Sequence, residues 1–152
     1  MGDPIFEATR IQARVLIPVV KALEREIGKA RAHEIVGRAI AESYVAWREK
    51  RGYVPDLHPG RAEEAGEEPD FPVEKRVVED RPDAYGHDIK ACAFADYFRS
   101  IGEPEIGALM TCGVDFAAEA RMRPGWTFER TQTLMQGASC CDFRWRRRAP
   151  ED

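Results

Sequence analysis

A long apolar run, a Cys-x-x-Cys pair, a glycine-rich phosphate loop and an excess of positive charge are all missing from this 152-residue chain. Each absence removes a class of function. The longest purely apolar stretch, Val15-Leu16-Ile17-Pro18-Val19-Val20, is six residues long, far short of the ~20 that cross a bilayer. The start, Met1-Gly2-Asp3-Pro4, has neither the basic opening of a secretory leader nor the hydroxyl residue of a myristoylation signal. The expectation is a cytoplasmic protein with reduced thiols and no membrane partner. Lysine and arginine number 23 against 27 aspartates and glutamates, a net charge of −4, so no nucleic-acid partner is expected. The local exception is Arg144, Arg146, Arg147 and Arg148, read as the solvated end of a strand. No Gly-x-Gly-x-x-Gly, Walker loop, His-Glu-x-x-His or Gly-x-Ser-x-Gly occurs, which leaves nucleotide-binding, zincin and serine-hydrolase chemistry without support.

What is present fits one soluble domain over 1–152, with 43% hydrophobic and 33% charged residues. Asp3-Pro4 is a helix start, with an N-cap followed by a proline at the first helical position. Ala8, Ile11, Val15, Leu16, Val19, Leu23 and Ile27 recur at helical spacing, Pro18 predicts a kink, and Gly28 ends the helix. A second helix over about 29–50 carries Ile35, Val36, Ala39, Ile40, Tyr44 and Trp47, and stops at Gly52. Prolines, glycines and the stretch Glu63-Glu64-Ala65-Gly66-Glu67-Glu68 make 53–72 a mobile acidic loop. Two short strands, 73–80 and 85–91, follow around Arg81-Pro82-Asp83. A helix over 93–101 presents Phe94, Phe98 and Ile101, and another runs from Pro104 to about Arg121. A last hairpin pairs 126–134 with 140–146, supported by Thr, Trp and Phe. The order αα–ββ–αα–ββ predicts an α+β fold, with the helices packed on an antiparallel sheet of about four strands.

The chemistry rests on four cysteines, Cys92, Cys112, Cys140 and Cys141. Free buried cysteines commonly serve as small hydrophobes, so placement has to decide between them. On the helix from Pro104 the wheel puts Ile106, Leu109, Met110, Gly113, Phe116, Ala117 and Ala120 on the core face. Cys112 falls at its edge, with Asp115 one turn on, which would set a thiol beside a proton acceptor. Cys92 lies where a strand runs into a helix, a position that favours thiolate through the helix dipole. His87 lies five residues earlier in the same strand. In the last hairpin Thr133 is expected roughly opposite Cys141, and Asp142 on the other side of its strand from Cys141. Cys140 is the bystander. Spacing alone gives a metal little support, since zinc sites usually carry a Cys-x-x-Cys pair.

Read together, these pieces form a pattern. Cys92-Ala93-Phe94-Ala95-Asp96-Tyr97-Phe98, Gly102-Glu103-Pro104-Glu105-Ile106-Gly107, Cys112-Gly113-Val114-Asp115, Arg130-Thr131-Gln132-Thr133-Leu134-Met135-Gln136-Gly137 and Cys141-Asp142-Phe143 resemble the L-2-amino-thiazoline-4-carboxylic acid hydrolase family. The resemblance covers nearly the whole chain apart from the acidic loop. It implies a small-molecule substrate and hydrolysis of a carbon–nitrogen bond in a cyclic amidine or thiazoline-like compound. It marks Cys112, Cys141, Asp115 and Cys92 for catalysis, with Cys112 and Cys141 ahead of Cys92. Thr131, Thr133 and Asp142 would bind substrate, and His87, outside the pattern, joins them as a candidate. No cofactor is required. The C-terminal Gly…Cys-x-Phe hairpin also resembles the 4-vinyl-reductase small-molecule-binding domain, which implies the alternative of a non-catalytic sensor. In that case zinc would be held by Cys92, Cys112 and Cys141. Many members of the hydrolase family carry Gly-Asp before the final cysteine, whereas here Gly137-Ala138 lacks the carboxylate. Trp47, Trp126 and Trp145 leave room for a homo-oligomer interface.

Overall fold

The computed structural model describes residues 3–52, 54, 57–58 and 72–150; most of the expected acidic loop at 53–72 lies outside the described residues. Helix α1 spans Pro4–Ile27 and α2 spans Lys29–Arg51. The Asp3 carboxylate accepts from the backbone N–H groups of Ile5 and Phe6, both at 2.9 Å, so two of the helix's orphan donors are satisfied. Gly28, at φ 85°, joins the helices in a backbone conformation that side chains rarely adopt. Of the expected stripe on α1 only Leu16 and Leu23 pack inward, while Ala8, Ile11, Val15, Val19 and Ile27 lie exposed; the fully buried residues, Ala13 and Val20, lie outside it. Two apolar stripes overlap on this helix, and a helix at the edge of a fold can bury only one.

Strands β1 (Val73–Arg81) and β2 (Ala84–Cys92) form the first hairpin. After helix α3 (Ala93–Ser100) come a short α4 (Pro104–Gly107), a π turn (Ala108–Cys112) and α5 (Val114–Met122). Strand β3 (Trp126–Glu129), a 3-10 turn (Leu134–Gln136) and β4 (Cys141–Arg147) complete the chain. The sheet order is β1-β2-β4-β3, antiparallel throughout, so the fold is α+β. Directly paired residues share a face. Tyr85 with Trp145, His87 with Phe143 and Ile89 with Cys141 therefore line one side. The other side is ionic: Arg144 pairs with Asp88 at 2.9 Å and Arg146 with Glu79 at 2.8 Å, which accounts for two of the C-terminal arginines.

The helix expected from Pro104 to Arg121 is interrupted by the π turn, in which Gly113 N–H donates to the Ala108 carbonyl at 2.7 Å. The wider turn takes up an extra residue and rotates everything after it. Val114 and Ala118 consequently face the core, while Gly113, Phe116 and Ala120 are exposed, against the wheel of an uninterrupted helix. Ile101 is likewise exposed. The last hairpin is also shorter than expected. β3 ends at Glu129 rather than near 134, for a reason found in the Asp142 side chain below.

Two clusters tie the helices together. Val20, Val36 and Ile106 join α1, α2 and α4; Ala13, Phe94, Ala95, Phe98 and Met135 join α1, α3 and the 3-10 turn. Phe98 packs so tightly on Gly107 that a Cβ there would lie 2.4 Å from its ring. Helix propensity alone would make Gly107→Ala stabilising by about 1 kcal/mol. The clash reverses the sign, since overpacking costs about 1–3 kcal/mol. Urea unfolding should show Gly107→Ala less stable than the parent, and Phe98→Leu in the same chain should recover part of the loss.

Candidate active site

The π turn, the β2–α3 junction and the start of β4 bring the three pattern cysteines toward one region. Cys92 ends β2 and caps α3 with extended backbone (φ −148°, ψ 114°). Its thiol is half-buried, and burial pushes it up. The N–H groups of Ala95 and Phe94 oppose that rise without closing to a capping hydrogen bond, and the charges of Asp96 and Asp115 add to it. Cys92 also lines a shallow recess of about 450 Å³, with Pro72, Glu74, Ala93 and Asp96 on its walls.

Cys112 closes the π turn. Its Sγ lies 3.5 Å from the Thr111 hydroxyl, which itself donates to the Gly107 carbonyl at 2.9 Å. Burial pushes the Cys112 thiol up to about 11, against the pull of Thr111 and Arg130. Cys92 and Cys112 both pack against the Phe94–Phe98 cluster. Cys141 opens β4, buried, with Sγ accepting from the Leu134 N–H at 3.2 Å. Burial raises its thiol too, and the neighbouring Cys92 adds to the rise. Cys112 in turn feels Cys141. Cys140 is buried and accepts from the Gln132 amide at 3.2 Å.

Asp115 lies in the first turn of α5. About a third of its side chain meets solvent, yet dense surroundings raise its carboxyl to about 6 by desolvation, despite Arg130. Arg130 is a residue that pattern reading did not single out as a site residue. It follows β3 directly and is almost fully buried. Its Nη1 donates to Asp115 Oδ2 at 2.5 Å and its Nη2 to the Cys112 carbonyl at 3.0 Å. The guanidinium lies between the Phe116 and Phe143 rings, 5.0 and 5.3 Å from their centroids. Nothing in the residues beside Arg130, Glu129 and Thr131, signals its role, because its carboxylate partner sits 15 residues back in another element.

The remaining candidates are engaged with neighbours inside the fold. The Asp142 carboxylate accepts from the Thr131 and Gln132 N–H groups, each at 2.9 Å, and from the Thr131 hydroxyl at 2.5 Å. Burial would raise this carboxyl; the donors bring it below the usual range. A side chain thereby replaces the backbone ladder, and this is why β3 stops early. Thr133 is buried as the cap of the 3-10 turn, accepting from the Gln136 N–H at 3.2 Å and donating to its side-chain carbonyl at 3.1 Å. Its hydroxyl is therefore engaged within its own turn. His87 is walled in by Tyr85, Phe143 and Trp145 at 5.6, 5.0 and 5.2 Å between centroids. Burial, with Lys75 and Arg144 nearby, depresses it to about 3, so it is neutral at ordinary pH. Among the described residues its Nδ1 finds no hydrogen-bond partner.

Among the described residues, no group of three His, Cys, Asp or Glu side chains converges closely enough to hold a metal ion. The zinc set Cys92, Cys112 and Cys141, drawn from three separate elements, does not form such a group. Also among the described residues, no helix is long and apolar enough to cross a membrane. The family model described as L-2-amino-thiazoline-4-carboxylic acid hydrolase matches residues 8–145, nearly the whole chain. No curated protein matches.

Proposed function

The chain belongs to the L-2-amino-thiazoline-4-carboxylic acid hydrolase family, and from that membership we propose that it opens the ring of a small thiazoline-like cyclic amidine by cysteine-dependent hydrolysis of a carbon–nitrogen bond. The observation that carries this reading is the grouping of Cys92, Cys112 and Asp115, where the charge of Asp115 is felt at both thiols. Of the pattern cysteines, Cys92 is the one that lines the recess and stands at a helix N-terminus, so it is the attacking thiol in this scheme.

The thiol sulfur adds to the ring carbon between nitrogen and sulfur, and its proton passes to the ring nitrogen. That carbon–nitrogen bond then breaks, with the nitrogen leaving as an amine and the exocyclic nitrogen becoming an imine. The product of this half is a thioimidate on Cys92. Water adds to the same carbon and the thiol leaves, giving a carbamyl thioester and free enzyme. Asp115, with its carboxyl near 6, is suited to relay protons in both halves around neutral pH.

The test uses 2-amino-thiazoline-4-carboxylate in ¹⁸O-water. The expected result is a ring-opened product with one labelled carbonyl oxygen, and an acid-quenched adduct on the peptide that contains Cys92. Turnover with no adduct on any cysteine would remove the covalent step. Tight binding without turnover would move the protein to the sensor class.

A further inference from the structure

We infer that Arg130 is a positioning residue, which locks the Asp115 carboxylate and the Cys112 turn into one fixed relation; the inference rests on the hydrolase reading above. The geometry argues for it in two independent ways. First, the first internal hydrogen bond of α5 is accepted by its cap residue, Gly113. The carbonyl of Cys112, one residue earlier, is left outside that α-helical ladder by the π turn. Arg130 Nη2 donates to it at 3.0 Å, so a side chain from another element completes the irregular turn. Secondly, the same guanidinium holds Asp115 Oδ2 through Nη1, and two aromatic rings prevent it from swinging away. A planar fork can serve both acceptors at once; an ammonium is a single point charge and cannot reproduce this geometry.

The consequence is a division of labour. Asp115 does the proton work, and Arg130 decides where Asp115 and Cys112 stand and how readily Asp115 ionises. Among the described residues, the charged and titratable groups near Asp115 include Arg130 after β3, Glu119 on α5, Tyr44 on α2, and the thiols of Cys112 and Cys92. Glu119 is itself engaged by Arg123 and the Trp145 indole, at 2.9 and 2.8 Å. Among the described residues, Arg130 is the cation in direct contact with the carboxylate.

The experiment compares Arg130→Met, Arg130→Lys and Phe116→Ala with the parent chain, each checked for folding by circular dichroism. The Asp115 carboxyl is titrated by ¹³C NMR without substrate, and kcat/KM for 2-amino-thiazoline-4-carboxylate is followed against pH. Arg130→Met should move the Asp115 titration and the acid limb of the profile upward together, by at least one pH unit. Arg130→Lys should keep the titration near the parent value yet lower kcat several-fold, because charge is retained and the bond to Cys112 is lost. Phe116→Ala removes one wall of the guanidinium and should shift the titration by less, which carries the test if the methionine variant does not fold. An unmoved titration in both Arg130→Met and Phe116→Ala, or lysine and methionine variants that behave alike, would overturn the inference. If the titration moves while the chain turns over no thiazoline, the hydrolase reading fails and the positioning of Asp115 stands.

Discussion

Serine in place of Cys92 is expected to lower kcat by roughly 10⁴–10⁶-fold, the scale of loss when a covalent nucleophile is removed. Serine keeps the volume and the cap position, so the fold should be preserved. What changes is nucleophilicity: a hydroxyl is far harder to ionise than a thiol, and no carboxylate near 6 can make up that gap. Cys112→Ser and Cys141→Ser should cost much less. Burial pushes the Cys112 thiol up to about 11, which leaves it protonated at neutral pH. Cys141 is buried, with its sulfur engaged by the Leu134 N–H. Iodoacetamide should label Cys92 first, for the same reasons. A Cys92→Ser protein that turns over at the parent rate would end the role proposed for this thiol.

Asp115→Asn should reduce kcat/KM by about 10²–10⁴-fold, the range for loss of a positioned acid–base group. The pH profile is the sharper readout. The parent should rise through an acid limb near 6, as Asp115 loses its proton and becomes able to accept one. The asparagine variant should be flat through that region. Linkage gives a second sign. The folded carboxyl is raised from 3.8 to about 6, so the fold binds this proton more tightly than the unfolded chain does. The stability Asp115 contributes is full below about pH 4 and lost as pH rises to about 6. Chemical denaturation at pH 4 and pH 7 should show this component in the parent and not in Asp115→Asn. A profile whose acid limb survives the substitution would assign that limb to another group.

Much of the architecture was legible because its signals are local. Asp3-Pro4, Gly28 and Gly52 punctuate α1 and α2 through caps and backbone conformations that involve their immediate neighbours only. The two hairpins and the burial of Phe94 and Phe98 follow from residue type and short periods. The departures all involve an extra residue or a distant side chain. An unbroken wheel misplaced Val114, Ala118 and Phe116, because a single wide turn before them rotates the helix. Alternation predicted strand to 134, because nothing within the segment shows that the Asp142 carboxylate will take the N–H groups of Thr131 and Gln132.

The site divides along the same line. Which residue types are available was written in the chain: three pattern cysteines, Asp115 and the Arg130-Thr131-Gln132-Thr133 run. So was the family, through their order. The tertiary structure decided where each one stands. It set Cys92 beside a recess and Cys112 against the Phe94–Phe98 cluster, and it bonded Thr133 and Asp142 to neighbouring groups. It also closed His87 into an aromatic stack and joined Arg130 to Asp115 and Cys112. The reason is physical. Caps and periodicity are settled by groups a few residues apart, whereas desolvation, and the pairing of a guanidinium with a carboxylate 15 residues away, exist only once separate elements have packed.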